Sequence, residues 1–322
     1  MPENSTSVSE PQTTYLIPHT SNLASGKRNL YIGILLAVIS AIIWSGNFIV
    51  ARGISQKIPP ITINFFRWLT AFLLLFPFAH KKLRAEKNIV IANWRYFFFV
   101  SFTCIVLFNS FVYIAGHYTS AINMALIGTT SSPVFTIVMA AIFLKEQVKP
   151  LRILGLIICT AGIVVLLSQG SFERLLAFRF SQGDWWVLSG SLFFAVYNLL
   201  VKRIPAGISP LTFLIVFFML GVSMLLPLYI WEHRVSAPVA WNGQLYAIVL
   251  YLGVGTSLLA YLCWNAAIQR IGSARTSLFG NLIPLFSTVE ALLILDEKIH
   301  LIHLLSGILV IAGLVIANLR KA

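Results

Sequence analysis

Gly33-Ile-Leu-Leu-Ala-Val-Ile-Ser40 and Gly183-Asp-Trp-Trp-Val-Leu-Ser-Gly190 open two copies of one pattern. At a spacing of 150, Pro60-Ile-Thr62 falls on Pro210-Leu-Thr212 and Pro77 falls on Pro227. At a spacing of 151, Pro133 falls on Pro284, Leu144-Lys-Glu146 on Leu295-Asp-Glu297, and Ala161-Gly162 on Ala312-Gly313. A unit this long holds several elements of its own and is no solenoid repeat. Each copy contains five apolar runs. An odd number of crossings turns the second copy upside down in the bilayer, an arrangement found among secondary transporters.

The runs lie near 31–51, 61–79, 94–115, 119–143, 151–168, 184–203, 210–230, 244–268, 274–295 and 300–319. Each is long enough to cross about 30 Å of hydrocarbon. Apolar residues make up 58% of the 322 and charged residues 10%, and mean hydropathy is +0.86. That leaves too little charge to coat a water-facing surface. The expected fold is an all-α integral membrane protein with ten transmembrane helices in two inverted five-helix repeats. A barrel is excluded, since its strands alternate apolar and polar residues.

The net charge of +13 is a topology signal. With a cytoplasmic N-terminus, sixteen Lys and Arg fall in inside segments, against six in outside loops (Arg52, Lys57, Arg174, Arg179, Arg234 and Lys298). The positive-inside rule then puts both termini in the cytoplasm, across the inner membrane. A nucleic-acid partner is not needed to explain the charge. The expected partners are a small molecule, the lipid bilayer and protons as a candidate coupling ion, with the chain monomeric or a weak homodimer. No cofactor or metal is expected. Cys104, Cys159 and Cys263 lie singly in three spans, and His300 and His303 have no carboxylate cluster beside them.

The chain divides into a polar cytoplasmic tail (1–29) without periodicity, a first repeat (30–169), an outer linker (170–182) and a second repeat (183–319). The first span reads as an uncleaved anchor. Apolar residues in the linker suit an amphipathic surface segment, and 80–93 reads as the longest basic loop. Gly155 and Gly162 in the fifth run share one helix face, as do their counterparts Ser306 and Gly313 in the tenth, and they serve either internal packing or a homodimer seam.

Asn64-Phe-Phe-Arg-Trp-Leu-Thr-Ala-Phe-Leu-Leu-Leu75, together with the Pro-then-Leu-x-Glu ends of the fourth and ninth runs, resembles the EamA-type transporters of the drug/metabolite transporter superfamily. Lys145 and Asp296 stand where that family usually has Gly. The resemblance spans about 30–319. It implies ten helices around a central cavity and movement of small metabolites, amino acids among them, often outward. It names no substrate.

Helical spacing groups the polar residues into stripes. Ser40, Trp44 and Asn47 form one; Asn109 and Tyr113 another; Asn123 and Thr130 a third. Ser257, Tyr261 and Trp264 share a face, as do Ser277, Asn281, Pro284 and Thr288. Such groups avoid lipid and point inward, either to bond neighbouring helices or to line a cavity. The expected aromatic wall is Trp44, Tyr113, Tyr197, Tyr261 and Trp264, with Asn47, Asn123, Thr130, Ser277 and Asn281 giving directional hydrogen bonds. Pro133 and Pro284 each interrupt a helix ladder. Two intramembrane charges are present in one copy only: Arg67 matches Phe217, and Glu290 matches Met139. Arg67 is read as a brace or a contact for a substrate carboxylate. Glu290 is read as a proton carrier, a structural carboxylate or an outer-gate residue.

No nucleophile motif, metalloprotease motif or phosphate-binding loop occurs, so the chain is not expected to be an enzyme. The leading expectation is a secondary active exporter of an amino acid or related metabolite, working by alternating access. The alternatives are an importer of a nucleotide-derived or cationic metabolite, and a non-transporting membrane receptor or assembly subunit.

Overall fold

The computed structural model describes residues 20–119, 121–168, 181–287 and 301–319, with isolated positions 171, 173 and 176. Side chains at 20–27, 48, 49, 121–123, 125, 126, 166, 167, 303 and 318 are excepted. All regular structure among these residues is helical. In chain order the elements are α1 (Thr20–Trp44), α2 (Asn47–Ile54), α3 (Pro60–Ala92), α4 (Trp94–Ser101), α5 (Asn109–Tyr118), α6 (Ala121–Phe143) and α7 (Pro150–Ser168). The second half contributes α8 (Gln182–Lys202), α9 (Pro210–Val235), α10 (Gly243–Leu250), α11 (Ala260–Ile271), α12 (Ser273–Thr276) and α13 (Leu301–Asn318). Five continuous rods are long and apolar enough to cross a membrane: Pro60–Ala92, Trp94–Tyr118, Gln182–Lys202, Pro210–Val235 and Gly243–Ile271. Four shorter apolar helices, Arg28–Trp44, Ile127–Phe143, Pro150–Val165 and Leu304–Ala317, fall on other expected runs.

Three boundaries differ from the sequence reading. The first helix begins at Thr20, inside the polar tail, and ends at Trp44. A break at Ser45 and Gly46 then restarts the chain as α2. The basic stretch 80–93 is no loop, because α3 runs on to Ala92. Its Lys, Arg, Ala and Glu residues are good helix formers, and Glu86 Oε2 accepts the Ser209 N–H at 2.8 Å. The ninth run starts as α12, tightens into a 3-10 turn at Ser277–Leu282 and is described only to 287. The disordered-tail reading (from residue 19 down) and most of the linker, with its amphipathic segment, lie outside the described residues.

Packing exchanges the two copies. α3 lies on α9, α7 on α13, and α1 on α11, while α8 packs against α5 and α6. The α3–α9 pair is antiparallel. Glu232, near the C-terminal end of α9, accepts the Ile61 and Thr62 N–H groups at 3.0 and 2.6 Å and the Thr62 hydroxyl at 2.8 Å. At the other end, Glu86 of α3 meets the residue that caps α9, Ser209. Each carboxylate thus satisfies N–H groups that the first helical turn of its partner leaves open. The α7–α13 pair is joined by small residues. A Cβ on Gly155 would lie 2.4 Å from the Gly313 carbonyl oxygen, and one on Gly162 would lie 2.9 Å from Leu309 Cβ. Gly155 and Gly162 therefore serve contact between these two helices.

The third helix of each copy is widened at the same place. Phe102–Phe108 and Tyr251–Leu259 are π-helical, a form that leaves backbone groups open to side chains and recurs at functional sites. Asn109 Nδ2 donates to the Cys104 carbonyl at 2.8 Å, and Trp44 Nε1 donates to the Thr256 carbonyl at 2.8 Å.

Candidate functional site

Arg67 is the charge at the centre of the bundle. It is 1% exposed and sits on the third turn of α3, facing both widened helices. Gly253 makes this approach possible: a Cβ there would lie 2.6 Å from Thr70 Cγ2 and 3.1 Å from the Arg67 carbonyl oxygen. With the π turn this close, Arg67 Nε donates to Ser257 Oγ at 2.8 Å and Nη2 donates to Thr256 Oγ1 at 2.9 Å. Nη1 donates to Asn109 Oδ1 at 3.0 Å, Tyr113 OH at 2.9 Å and Asn47 Oδ1 at 3.5 Å. Its guanidinium carbon lies 5.0 Å from the Trp68 ring centroid. No carboxylate of the described residues lies within ion-pair distance of it. Neutral dipoles hold the cation, so its charge is left uncompensated by any described acid.

Arg67 forms one wall of a cavity of about 70 Å³. Trp44 and Asn47 line it at the α1–α2 break, and Phe108 and Asn109 where the first π turn ends. α6 contributes Gly128, Thr129, Ser132 and Pro133; α8 contributes Val187, Ser191 and Phe194. Val112, Tyr261, Trp264, Ser277, Gly280 and Ile283 complete the lining. Pro133 has no N–H to give the Thr129 carbonyl, and both residues face the cavity. Trp44 is the hub of the aromatic side. Its ring lies 5.0 Å from Trp264, 5.2 Å from Tyr261 and 5.9 Å from Phe194. Such tilted and edge contacts suit aromatic quadrupoles. Two cross-helix bonds close the floor: Tyr197 OH to Asn265 Oδ1 at 2.6 Å and Trp264 Nε1 to Asn198 Oδ1 at 2.9 Å. A cavity needs roughly 10–15 Å³ per water, so this one holds a few waters and admits a larger solute only by widening.

The structure sorts the expected site residues. Trp44, Asn47, Arg67, Tyr261, Trp264 and Ser277 line the cavity together. Tyr113 and Tyr197 stand one layer behind, bonded to Arg67 and Asn265. Thr130 and Asn281 do not line it, contrary to the spacing argument. Thr130 turns its hydroxyl back to the Ile127 carbonyl at 3.5 Å, and its neighbour Thr129 takes the wall position. Asn281 is fully buried within the 3-10 turn, whose three-residue period rotates side chains off the α-helical stripe. The side chain of Asn123, and Glu290 with its whole helix segment, lie outside the described residues, as do Glu297 and His300. Ser40 is a brace between helices, donating to the Ala260 carbonyl at 3.0 Å.

Sequence reasoning missed Phe194 and Ser191 as wall residues, and above all the π turns. Asn109 is visible in the sequence as a polar residue on the Tyr113 face. Neither π turn has a sequence signature, so the carbonyls they present could not be foreseen.

Comparison with known proteins agrees with this architecture. The chain is similar to an uncharacterized transporter of Archaeoglobus fulgidus, 26% identical over 287 residues, covering 89% of this chain and 97% of the relative. A probable amino-acid metabolite efflux pump of Escherichia coli is 20% identical over 88% of this chain and 93% of its own length. A probable terminal-alkyne amino-acid exporter of Streptantibioticus cattleyicolor is 28% identical over 59% of this chain and 61% of its own. A crystal structure of 16% sequence identity superposes with a TM-score of 0.71, covering 91% of this chain and 96% of that one, and shares the fold. The profile of the EamA-like transporter family matches residues 31–168 and again 181–319. As a multi-pass membrane protein carrying that profile twice, the chain belongs to the EamA-like transporter family.

Proposed function

We propose that this chain is a secondary active transporter that exports an amino acid or a related small metabolite across the cytoplasmic membrane. The observation that carries this reading is the cavity at the crossing of both copies, which joins an aromatic wall to a buried cation without a described counter-acid. A zwitterion fits such a site. Its carboxylate faces Arg67 and Asn109, and its ammonium and side chain face the rings of Trp44, Tyr261 and Trp264. The names of the amino-acid exporter and efflux pump among the relatives support the same class.

In the proposed mechanism ten helices form two inverted halves with both termini cytoplasmic, and the halves rock about the cavity. The antiparallel crossing of the equivalent helices α3 and α9 supports the inversion. The small volume of the cavity supports a contracted state that widens on binding. Glu290 is proposed as the coupling carboxylate, and Glu290→Gln tests it: a variant keeping full pH dependence of flux rules coupling at that residue out. The decisive experiment is counterflow in liposomes with a pooled metabolite panel, with and without a pH gradient. Accumulation of labelled amino acids supports the proposal; no flux of any panel member refutes it.

A further inference from the structure

A second cavity, of about 380 Å³, lies between α9 and α11 beneath the turn that joins α8 to α9. Along α11 the residues Leu262, Asn265, Ala266 and Gln269 line it. At about 100° per residue these occupy the face next to the one that carries Tyr261 and Trp264 into the central cavity. Ile204, Ile208, Phe213 and Leu214 supply an aliphatic wall opposite. Asn265 stands on the boundary between the two faces and is 8% exposed. Its Oδ1 accepts the Tyr197 hydroxyl at 2.6 Å, while its Nδ2 is buried with no hydrogen-bond partner. An unpartnered buried amide donor is costly unless something accepts from it. Arg270 lines the same cavity; its exposed guanidinium donates from Nη1 to the Ala266 carbonyl at 2.9 Å and keeps its other N–H groups for a ligand.

The equivalent turn of the first copy covers a third cavity, of about 570 Å³, lined by Lys57 and His117 among others. There His117 Nε2 is likewise buried without a partner. The bundle thus presents, at each end of the antiparallel α3–α9 pair, a partly apolar chamber with a basic side chain and a buried nitrogen without a partner. A protein that loads at one face and unloads at the other has a use for both.

We infer that the chamber between α9 and α11 is a peripheral docking site for a free solute that joins a carboxylate to a short apolar chain. The carboxylate takes the Asn265 amide and the Arg270 guanidinium, and the chain rests on Ile204, Ile208, Phe213 and Leu262. The biological use of the site rests on the transport reading above; its existence does not. Tyr197 then links the two sites, since one hydrogen bond joins it to the docking amide and its ring stacks on Phe194 of the central wall.

The test places a reporter thiol by Ala266→Cys in the full chain carrying Cys263→Ala, reconstituted in phosphatidylcholine liposomes. With each rate divided by that reagent's rate with a free thiol in solution, an anionic sulfonate thiosulfonate should label the introduced thiol at least about fivefold faster than its cationic trimethylammonium counterpart, from one nearby guanidinium. Adding Asn265→Leu and Arg270→Gln should bring the ratio to about one. 4-Methylvalerate should protect the reporter thiol, and isohexylamine, with the same chain and no carboxylate, should not. Equal labelling rates, absence of labelling, absence of protection by 4-methylvalerate, or protection only by added anionic lipid would each overturn the inference. Trp44→Ala separates the two readings: it should abolish flux through the central cavity and leave the labelling ratio of the reporter unchanged.

Discussion

Replacing Arg67 by Lys and by Met separates its two tasks. The side chain makes five hydrogen bonds that reach α2, α5 and the second π turn. Interhelical hydrogen bonds in membranes average about 0.6 kcal/mol each, so the set contributes about 3 kcal/mol. Removing the guanidinium also strips Asn109 Oδ1 of its donor, which costs about 1–3 kcal/mol for a buried acceptor. Against this, the desolvation of a buried cation is relieved. Arg67→Met should therefore lose about 2–4 kcal/mol of stability. Lysine keeps the charge but has a single donor atom, so it cannot reach Ser257, Thr256 and Asn109 together. Arg67→Lys should lose about 1–2 kcal/mol yet still bind carboxylates. The assay pairs thermal unfolding in detergent with binding of an amino acid and its carboxamide to each variant. The parent and Arg67→Lys should prefer the carboxylate, and Arg67→Met should not discriminate. A preference unchanged in Arg67→Met would refute the carboxylate role and leave Arg67 a brace. Unchanged stability in Arg67→Lys would refute the network.

Lys145 adopts φ +52° at the C-terminus of α6, where the Leu144 and Glu146 N–H groups both bond the Ala140 carbonyl at 3.0 and 3.1 Å; this helix stop favours glycine, so Lys145→Gly should raise the unfolding free energy by about 0.5–1 kcal/mol, and a loss would contradict it. Gly155→Leu forces a side chain into the Gly313 backbone and should cost about 2 kcal/mol or more, read as a drop in thermal midpoint that Ala161→Leu, on the exposed face, does not cause. Trp44→Phe keeps an aromatic ring among Phe194, Tyr261 and Trp264 but removes the bond to the Thr256 carbonyl and part of the buried indole, so it should cost about 1–3 kcal/mol in stability, less than Trp44→Ala; an equal cost would show that the remaining ring contributes nothing. Glu232→Gln weakens a carboxylate that caps three donors and should cost more stability, about 1–2 kcal/mol, than Glu86→Gln, whose carboxylate is partly exposed; the reverse order in a denaturation series would sink this ranking.

The repeat was legible because prolines, glycines and helix ends keep their spacing whatever the side chains between them do. Lys145 shows how far such reading goes: its place in the motif marked a helix end, and the backbone there has the geometry that explains the family's glycine. The cavity was legible only in part. Trp44 and Trp264 were found on α-helical stripes because α1 keeps its period up to Trp44 and α11 is regular around Trp264. Asn281 and Thr130 were misplaced because the first lies in a 3-10 turn and the second satisfies its own backbone. A fixed 3.6-residue period cannot anticipate either event. The 80–93 stretch misled through its charge, since charge marks solvent and not the absence of helix.

Duplicated and single features divide the labour of the molecule. The carboxylate caps at both ends of α3 and α9, the glycine contacts of α7 and α13, and the π turns all come in pairs. Two antiparallel helices pinned at both ends keep their register, and a backbone contact such as Gly155–Gly313 tolerates no slack. Under the proposed rocking these pairs are the fixed frame. Motion then falls to elements whose backbone is interrupted: the broken α1–α2 helix, the proline-interrupted α6, and the 3-10 start of the ninth helix. Those elements supply Trp44, Asn47, Gly128, Thr129, Ser132, Pro133, Ser277 and Gly280 to the cavity wall. Arg67, which has no counterpart cation in the second copy, sits on the pinned helix α3, so under the proposed mechanism a solute bound to it would stay at a fixed point while the walls around it change places.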